Sequence, residues 1–165
     1  MINTHVGNLF DLVLNGQRWD SDVHYIIHGC NAQGRMGSGF AKELRERFPN
    51  AYDDYIVAYE EGNNHLDVGT VIYHAAEQDI IICNTVTQEF YGRDGAKYVS
   101  YDAIDKIFLE LDNSAKVLKQ VSGIEEVHMH FPKIGSDLGG GCWNVISEII
   151  DHRVKHATKN LYELK

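Results

Sequence analysis

The stretch VHYIIHGCNAQGRMGSGFAKELRERFP, residues 23–49, combines a strand pattern, a glycine-rich loop and a helix pattern in direct succession. The apolar run Val23–Ile27 predicts a buried strand. Glycines follow at positions 29, 34, 37 and 39, and each costs backbone entropy unless another group must lie close to the main chain. Apolar residues then recur at helical spacing from Phe40 to Phe48, and Pro49 ends the helix. This unit predicts a loop that holds a ligand against its backbone.

The rest of the chain repeats this alternation of strand and helix patterns. Asn50 and Ser100 are expected to cap the helices that follow them. A second glycine-rich loop, PKIGSDLGGGCW at residues 132–143, follows an apolar run. Further strands are predicted at residues 4–6, 68–75, 79–84, 126–131 and 158–164. This order predicts an α/β fold with helices on both sides of a mixed central sheet, in which ligands bind where strands run into helices.

Length and composition narrow the classes of protein. The chain has 165 residues, and we expect a single domain over residues 1–165. The formal net charge of −9, without a dense Lys and Arg cluster, argues against general nucleic-acid binding but not against a small anion held by backbone N–H groups. No run approaches the ~20 apolar residues that cross a bilayer, so no membrane association is expected. Three cysteines without a framework spacing favour a reducing cytoplasm.

The first loop does not match the common phosphate-binding formulas. Gly34 and Gly39 have the Walker A separation, but Phe40 and Ala41 stand where that loop needs Lys and then Ser or Thr. The Rossmann pattern fails because Lys42 stands where a small residue must let the helix pack on the strand. These differences argue against an ATPase and against an NAD-dependent dehydrogenase.

Cys30 and Arg35 suggest a cysteine phosphatase, in which a thiolate attacks a phosphate held by an arginine. That class has one more residue between its Cys and Arg, and its His directly precedes the Cys, whereas His28 lies one residue too early. Loop length fixes where the arginine and the amides point. We therefore interpret Cys30 as a small packing residue beside a turn.

Several motifs, taken in order, resemble the macro domain family. They are residues 7–10, the strand and loop at 25–55, ICNTVTQEFYG at 82–92, FPKIGSDLGGGCWNVI at 131–146 and NLYEL at 160–164. The order and spacing are most similar to the small stand-alone members, which include the yeast-type ADP-ribose 1″-phosphate phosphatases and the human terminal ADP-ribose glycohydrolase. The resemblance implies a three-layer α/β/α sandwich that binds ADP-ribose and needs neither a metal nor a cofactor.

The resemblance also implies which residues contact the ligand. The first loop would border the distal ribose, and the second would offer N–H groups to the diphosphate at the start of the Trp143 helix. Three consecutive glycines at 139–141 cost about 2–3 kcal/mol in ordered structure, which favours close backbone approach to a phosphate. The expected ligand-binding residues are Asn8, Leu9, Gly37, Ser38, Gly39, Ile134, Gly135, Ser136, Leu138, Gly139, Gly140, Gly141, Cys142 and Tyr162.

The adenine end of the expected site departs from the family pattern. Asn8 stands where the family usually has an aspartate that accepts a hydrogen bond from the adenine amine. Its amide oxygen accepts without charge, so the contact is expected to be weaker, with the Leu9 backbone in support. A turn residue is the alternative for Asn8. Tyr162 would pack on a ribose or the base, or simply close the core.

The expected catalytic residues are His28, Asn31 and Asp137. His28, at the end of the buried strand, would act as general acid or base, because histidine moves protons near neutral pH. The alternative is a core histidine bonded to the backbone. Asn31 would orient the ribose or a water molecule. Asp137 and Asp94 lie on loops and are either further catalytic candidates or turn residues.

The related glycohydrolase uses a lysine that forms a covalent adduct and an aspartate in the second loop. In this chain those positions fall near Val86–Thr87 and on Gly139. We therefore expect that route to be absent, unless Asp137 takes over the role of the aspartate.

Two histidine pairs raise the question of a metal site. His128 and His130 share one strand face, and His152 and His156 stand four residues apart on a predicted helix. Neither pair has a third ligand spaced nearby, so both are expected to face solvent and no metal site is expected.

Together these observations predict a monomeric, cytoplasmic, ADP-ribose-binding hydrolase that converts ADP-ribose 1″-phosphate to ADP-ribose and phosphate. Two alternatives remain. One is a non-catalytic reader of ADP-ribose or of ADP-ribosylated protein. The other is an ADP-ribosyl hydrolase that removes ADP-ribose from modified protein.

Overall fold

A computed structural model describes residues 1–37, 39–92, 96–136 and 139–164 of the chain. Within these ranges, strands and helices largely alternate. The strands are β1 (Ile2–Val6), β2 (Asp22–Asn31), β3 (Val71–Ala75), β4 (Ile80–Gln88), β5 (Glu126–Phe131) and β6 (Thr158–Glu163). The helices are α1 (Leu9–Asn15), α2 (Gly39–Arg47), α3 (Pro49–Glu61), α4 (Tyr101–Val121) and α5 (Trp143–Arg153). None of the helices in these ranges is long and apolar enough to cross a membrane.

The strands form one mixed sheet in the order β1-β6-β5-β2-β4-β3. Only β3 runs antiparallel to its neighbour, and the pairs β1–β6, β6–β5, β5–β2 and β2–β4 are all parallel. Five strands therefore end at the same edge of the sheet, and the loops that leave them meet there. This arrangement confirms the predicted mixed sheet.

Helices cover both faces of the sheet, because successive side chains of β2 point to opposite sides. Tyr25 and Ile27 pack in a core that includes residues of α4 and α5. Ile26 packs instead with Phe10 of α1 and Leu44 of α2. The predicted three-layer α/β/α sandwich is confirmed.

Strands β2 and β4 extend further than predicted, into polar sequence. The Thr85 hydroxyl donates to the His28 carbonyl at 2.6 Å, and the Thr87 hydroxyl donates to the Cys30 carbonyl at 3.3 Å. Both threonines are buried, so their hydroxyl groups are satisfied inside the sheet. The polar composition after residue 84 therefore predicted too early an end for β4, which continues to Gln88.

Helix starts were predicted with mixed success. Ser100 caps α4 as expected, since its side chain accepts from the Ala103 N–H. Asn50 does not cap α3: the cap position is Phe48, and Pro49 takes the first helical turn, where its missing N–H costs nothing. The short helix α1 was not predicted, because its seven residues are too few for a clear periodic pattern.

The prediction that both histidine pairs face solvent is wrong. His130 is buried in the α1–α3 layer, where His24 and Tyr162 contact its ring. His156 lies beyond the last residue of α5, and its ring contacts the Asp112 carboxylate at 2.9 Å. Of these four residues only His152 is exposed.

Candidate functional site

A cleft of about 1040 Å³ opens at the edge of the sheet where the parallel strands end. Its walls come from the segments that leave those strands, as expected for a ligand site in an α/β sheet. The segments are residues 7–10 after β1, 35–37 and 39–41 after β2, 91–92 after β4, 132–136 after β5 and 163–164 at the end of β6.

Most of the predicted site residues lie on this cleft. The structure brings together on its walls Asn8, Leu9, His28, Asn31, Gly37, Gly39, Ile134, Gly135, Ser136, Gly139 and Tyr162. Three predicted residues, Gly140, Gly141 and Cys142, are not part of its walls. The predictions for Ser38, Asp94, Asp137 and Leu138 concern positions outside the described residues.

The second glycine-rich loop needs glycine for packing inside the protein. The Gly141 N–H donates to the Gly135 carbonyl at 2.8 Å, and a Cβ on Gly141 would lie 2.5 Å from a Val99 methyl group. A Cβ on Gly140 would lie 2.5 Å from the Ala96 carbonyl oxygen. The Cys142 N–H donates to the Tyr101 hydroxyl. Close contacts within the chain therefore explain glycine at positions 140 and 141 without a ligand, and these two glycines are by themselves no evidence for a bound phosphate.

Gly37 in the first loop is different. A Cβ added there would meet no atom within 4 Å, and the residue has no left-handed φ that would favour glycine. It is exposed on the cleft wall, as is Gly39. Neither packing nor backbone conformation within the described residues requires glycine at position 37. What glycine provides there is room for a group outside the chain to approach the backbone.

His28 is a buried residue near the end of β2 and lines the cleft. Its Nε2 lies 2.6 Å from Asn84 Oδ1, while Asn84 Nδ2 donates to the Ala51 carbonyl. Asn84 therefore accepts, and the proton of a neutral His28 sits on Nε2. Burial lowers the pKa of His28 to about 4, although the bond to Asn84 opposes this shift. At neutral pH the imidazole is thus uncharged, and its Nδ1 is an acceptor that lies 3.9 Å from the Cys30 Sγ.

Cys30 is close to His28 but is not an activated nucleophile. Its Sγ lies 3.6 Å from His28 Nε2, and the side chain is buried. Burial raises the pKa of the Cys30 thiol far above its ordinary value. A thiol of this kind stays protonated at neutral pH, which agrees with the interpretation of Cys30 as a packing residue.

Asn31 uses its amide to shape the first loop. Its Nδ2 donates to the Arg35 carbonyl at 2.9 Å, and its Oδ1 accepts from the Gln33 N–H at 3.0 Å and the Arg35 N–H at 3.3 Å. The Tyr55 hydroxyl donates to the Asn31 carbonyl. The side chain thus fixes the loop backbone, with most of its hydrogen-bonding capacity already used.

Asn8 is the N-cap of α1 and is joined to an acidic residue from α2. Its Oδ1 accepts from the Asp11 N–H, and its Nδ2 lies 3.1 and 3.0 Å from the two Glu43 carboxylate oxygens. Arg47 donates to the same carboxylate at 2.9 Å. A carboxylate that is ion-paired with Arg47 therefore stands on the cleft wall beside Asn8, contributed by a residue 35 positions away in sequence.

Tyr162 connects the cleft to a row of histidines on the α1–α3 face of the sheet. Its hydroxyl lies 2.8 Å from His130 Nδ1, and its ring stacks on His5 at 4.9 Å between centroids. His130 Nε2 lies 2.9 Å from His24 Nδ1, and His24 stacks on His128. Within the described residues no group of three or more His, Cys, Asp or Glu side chains has a geometry for metal binding.

Sequence reasoning missed several residues of the site. Asn84, Glu43 and Lys133 were not proposed, and Arg35 was considered only for a cysteine phosphatase. Tertiary contacts bring each of them to the cleft or to His28. A signal for Arg35 existed, because it lies in the glycine-rich loop itself. Asn84 and Glu43 sit in ordinary strand and helix patterns, which carry no such signal.

Comparison with known proteins agrees with this geometry. No protein-family model matches the chain. An ADP-ribose 1″-phosphate phosphatase from Candida glabrata is 30% identical over 159 residues, which cover 84% of this chain and 89% of the relative. The enzyme of the same name from Saccharomyces cerevisiae is 27% identical over 162 residues, with 87% and 92% covered. A macrodomain protein from Streptomyces coelicolor superposes with a TM-score of 0.72 at 23% identity over 99% of both chains. The chain therefore belongs to the family of the fungal ADP-ribose 1″-phosphate phosphatases, and its fold is that of a macrodomain.

Proposed function

We propose that this protein binds ADP-ribose 1″-phosphate in the cleft and hydrolyses it to ADP-ribose and phosphate. The observation that carries the proposal is the open glycine backbone at Gly37, on the wall of a cleft that also reaches His28. The fungal relatives that share most of their length with this chain are named for the same activity. The cleft volume of about 1040 Å³ is at the upper end of the range for small-molecule sites, which suits an extended dinucleotide-like ligand.

His28 would act as a general base in this reaction, rather than as an acid. With a pKa of about 4 only about one imidazole in a thousand is protonated at pH 7. In the proposed step a water oxygen attacks phosphorus, its proton passes to His28 Nδ1, and the bond between phosphorus and O1″ breaks. O1″ takes a proton from solvent and leaves as the hydroxyl of ADP-ribose. Asn84 would hold the imidazole in the tautomer that this step needs.

Asn31 would contribute as a positioning residue. Its amide holds the backbone of Arg35, and the cleft wall continues through Met36 and Gly37. Asn8 and Glu43 would receive the adenine base, with the Glu43 carboxylate able to accept from the adenine amine. This assignment restores the acidic acceptor that the family pattern has and that Asn8 by itself lacks.

The substitution His28→Gln tests the catalytic role. We expect phosphate release from ADP-ribose 1″-phosphate to fall about 10²- to 10⁴-fold, the usual contribution of a general base. Glutamine retains a donor for Asn84, so the fold and the affinity for ADP-ribose should change little. Phosphate release under single-turnover conditions and calorimetry with ADP-ribose provide the two readouts. Turnover at the wild-type rate by a folded His28→Gln protein would rule out the role of His28.

A binding module without turnover is the second candidate function. The burial of His28 and the committed amide of Asn31 favour it, because a buried base must be reached by a water molecule before it can act. ADP-ribose would then bind, but wild-type protein would release no phosphate. Hydrolysis of ADP-ribosylated protein through Asp137 is a third candidate function, which loss of ADP-ribose release in Asp137→Ala would identify.

We also propose that the chain works as a monomeric single domain in the cytoplasm. All three cysteines are unpaired, and two of them are buried thiols. Free thiols of this kind are typical of a reducing compartment. Light scattering of the purified protein and its distribution after cell fractionation test the two parts of this proposal.

A further inference from the structure

Arg35 is an exposed cation on the cleft wall, and no described residue pairs with its charge. It lies in the first loop, between the end of β2 and the start of α2. In the described part of the chain its guanidinium makes no hydrogen bond, ion pair or ring contact, whereas Arg18, Arg47 and Arg153 each pair with carboxylates. A fork of N–H donors that faces a ligand cleft without a partner is a recognition group for an anion.

The backbone of Arg35 is held more firmly than its exposed side chain suggests. The Asn31 amide contacts both the N–H and the carbonyl of Arg35. Met36, the next residue, is 2% exposed and packs with Tyr55 under the loop. Gln33 donates to the Glu89 carbonyl and so joins the loop to the segment after β4. The backbone of Arg35 is therefore held in place beside the cleft.

Among the residues that the structure describes, the other charges on the cleft wall leave this region to Arg35. Lys133 on the wall pairs with Glu163 at 3.0 Å, which reduces its attraction for an anion. Glu43 is the acidic group on the wall beside Asn8, which follows β1. The sheet order places β1 at one edge and the β2–β4 pair towards the other. Along the cleft, a carboxylate thus marks the β1 end and an unpaired guanidinium the β2–β4 end.

We propose that Arg35 binds the 1″-phosphate and thereby discriminates ADP-ribose 1″-phosphate from its product, ADP-ribose. The inference rests on the proposed function and deepens it by assigning the substrate specificity to one residue. A terminal phosphate monoester carries close to two negative charges and offers three oxygens, so it pairs with a guanidinium through two parallel hydrogen bonds. Adenine at the Glu43 end directs the distal ribose and its phosphate towards Arg35. Hydrolysis removes this phosphate, so the affinity for the product ADP-ribose is lower and its release is favoured.

The test compares substrate and product in Arg35→Gln, Arg35→Lys and a control, Arg45→Gln. Arg45 is also exposed and lies on α2, but its guanidinium stacks on Tyr52 and is not part of the cleft wall. For Arg35→Gln we expect KM for ADP-ribose 1″-phosphate to rise about ten- to hundredfold, as for the loss of a charged hydrogen-bonded pair. Calorimetric Kd for ADP-ribose should change less than about twofold. Arg35→Lys should be intermediate, because lysine keeps the charge without the fork, and Arg45→Gln should resemble wild type.

Binding of ADP-ribose 1″-phosphate to the His28→Gln background supplies a readout that does not depend on turnover. If wild type releases no phosphate, the proposed function fails, while a selective loss of ADP-ribose 1″-phosphate binding in Arg35→Gln still supports the assignment of Arg35. An equal loss of affinity for both ligands would assign Arg35 to the diphosphate and overturn the inference. Unchanged binding of both ligands would overturn it as well.

Discussion

Gly37 and Gly141 belong to the two glycine-rich loops, but different neighbours require glycine at these positions. A side chain on Gly141 would overlap Val99 and the Gly135 carbonyl, whereas a side chain on Gly37 would project into open space. The two loops look alike in sequence, since glycine is enriched in both. Only the surrounding atoms distinguish a glycine that allows packing from one that leaves room for a ligand.

Alanine at the two positions should therefore have opposite effects. Gly37→Ala should leave the free energy of unfolding within about 0.5 kcal/mol of wild type, but lower the affinity for ADP-ribose because the methyl group occupies ligand space. Gly141→Ala should destabilise the protein by about 1–3 kcal/mol, as overpacking does. Urea unfolding and calorimetry with ADP-ribose measure the two quantities on each variant. A Gly37→Ala protein with wild-type affinity would show that the ligand does not approach this backbone.

At the residue scale, Asn8 illustrates a limit of motif comparison. The sequence shows an amide where the family usually has a carboxylate, and this predicts a weaker acceptor. In the structure the amide caps α1 and holds the Glu43 carboxylate beside it. The charge is present at the site but comes from another helix. Matching one position at a time cannot detect such a replacement.

At the scale of elements, the histidines of β2 and β5 form a connected row. His24 of β2 pairs in register with His128 of β5, and its Nδ1 contacts His130. Burial lowers the pKa of His24 and His130, with neighbouring histidines as a further cause in each case. Asp79 and Asp22 raise the pKa of His24, while Arg18 lowers it. His24 Nε2 is buried without a hydrogen-bond partner. The fold therefore favours the neutral form of His24 and His130.

Acid should consequently destabilise the protein before its carboxylates titrate. The pKa values of His24 and His130 are lower in the folded state than the unfolded value of about 6.5, so the unfolded state binds more protons as the pH falls. The free energy of unfolding should thus decrease as the pH falls below about 6.5, by up to about 2 kcal/mol at pH 5 for each histidine that stays neutral when folded. Urea unfolding between about pH 7.5 and pH 5 measures this slope.

Two variants test whether the pH dependence of the free energy of unfolding comes from the buried histidines His24 and His130. His130→Gln should flatten the pH dependence, because one histidine that resists protonation has been removed, even if the variant is less stable at all pH values. His152→Gln removes an exposed histidine and should leave the slope unchanged. An equal change of slope in both variants would contradict the assignment.

The ends of β2 and β4 show how pairing between elements overrides local composition. The polar sequence Asn84-Thr85-Val86-Thr87 predicts the end of a strand. In the structure both threonine hydroxyls donate to carbonyl groups of β2. Asn84 at the same time reaches His28. A polar strand end is stable here because the neighbouring strand satisfies each group.

At the scale of the whole molecule, the cleft exists only when all five parallel strands are in place. Its walls come from segments that are far apart in sequence, from Gly7 to Leu164. A ligand in the cleft therefore binds the folded state and has no counterpart in the unfolded chain.

ADP-ribose at a free concentration of a hundred times its Kd should stabilise the fold by about 2.7 kcal/mol. For a chain of this size that corresponds to a rise of roughly 5–10 °C in Tm. Differential scanning fluorimetry across a range of ADP-ribose concentrations measures the shift, with AMP as the partial ligand for comparison. An unchanged Tm at millimolar ADP-ribose would contradict binding in the cleft and, with it, the proposed function.

The order of most elements, the mixed sheet and the position of the two loops at the strand ends could be predicted from the amino-acid sequence. These properties follow from local periodicity, capping residues and glycine, which act over a few neighbouring residues. Most of the predicted cleft residues also follow from this order, because parallel strands end at one edge. The position of His28 near a strand end also predicted it as a catalytic candidate. The sequence did not show that its imidazole is neutral.

Only the tertiary structure decided which polar groups have partners. Each of these contacts joins residues that are distant in sequence. Asn84 and burial keep His28 neutral, the Glu43 carboxylate lies beside Asn8, and Gly140 and Gly141 pack against other segments of the chain. The same holds for the unpaired guanidinium of Arg35. Burial and hydrogen bonding set the chemistry of a side chain, and both depend on neighbours that local sequence does not specify.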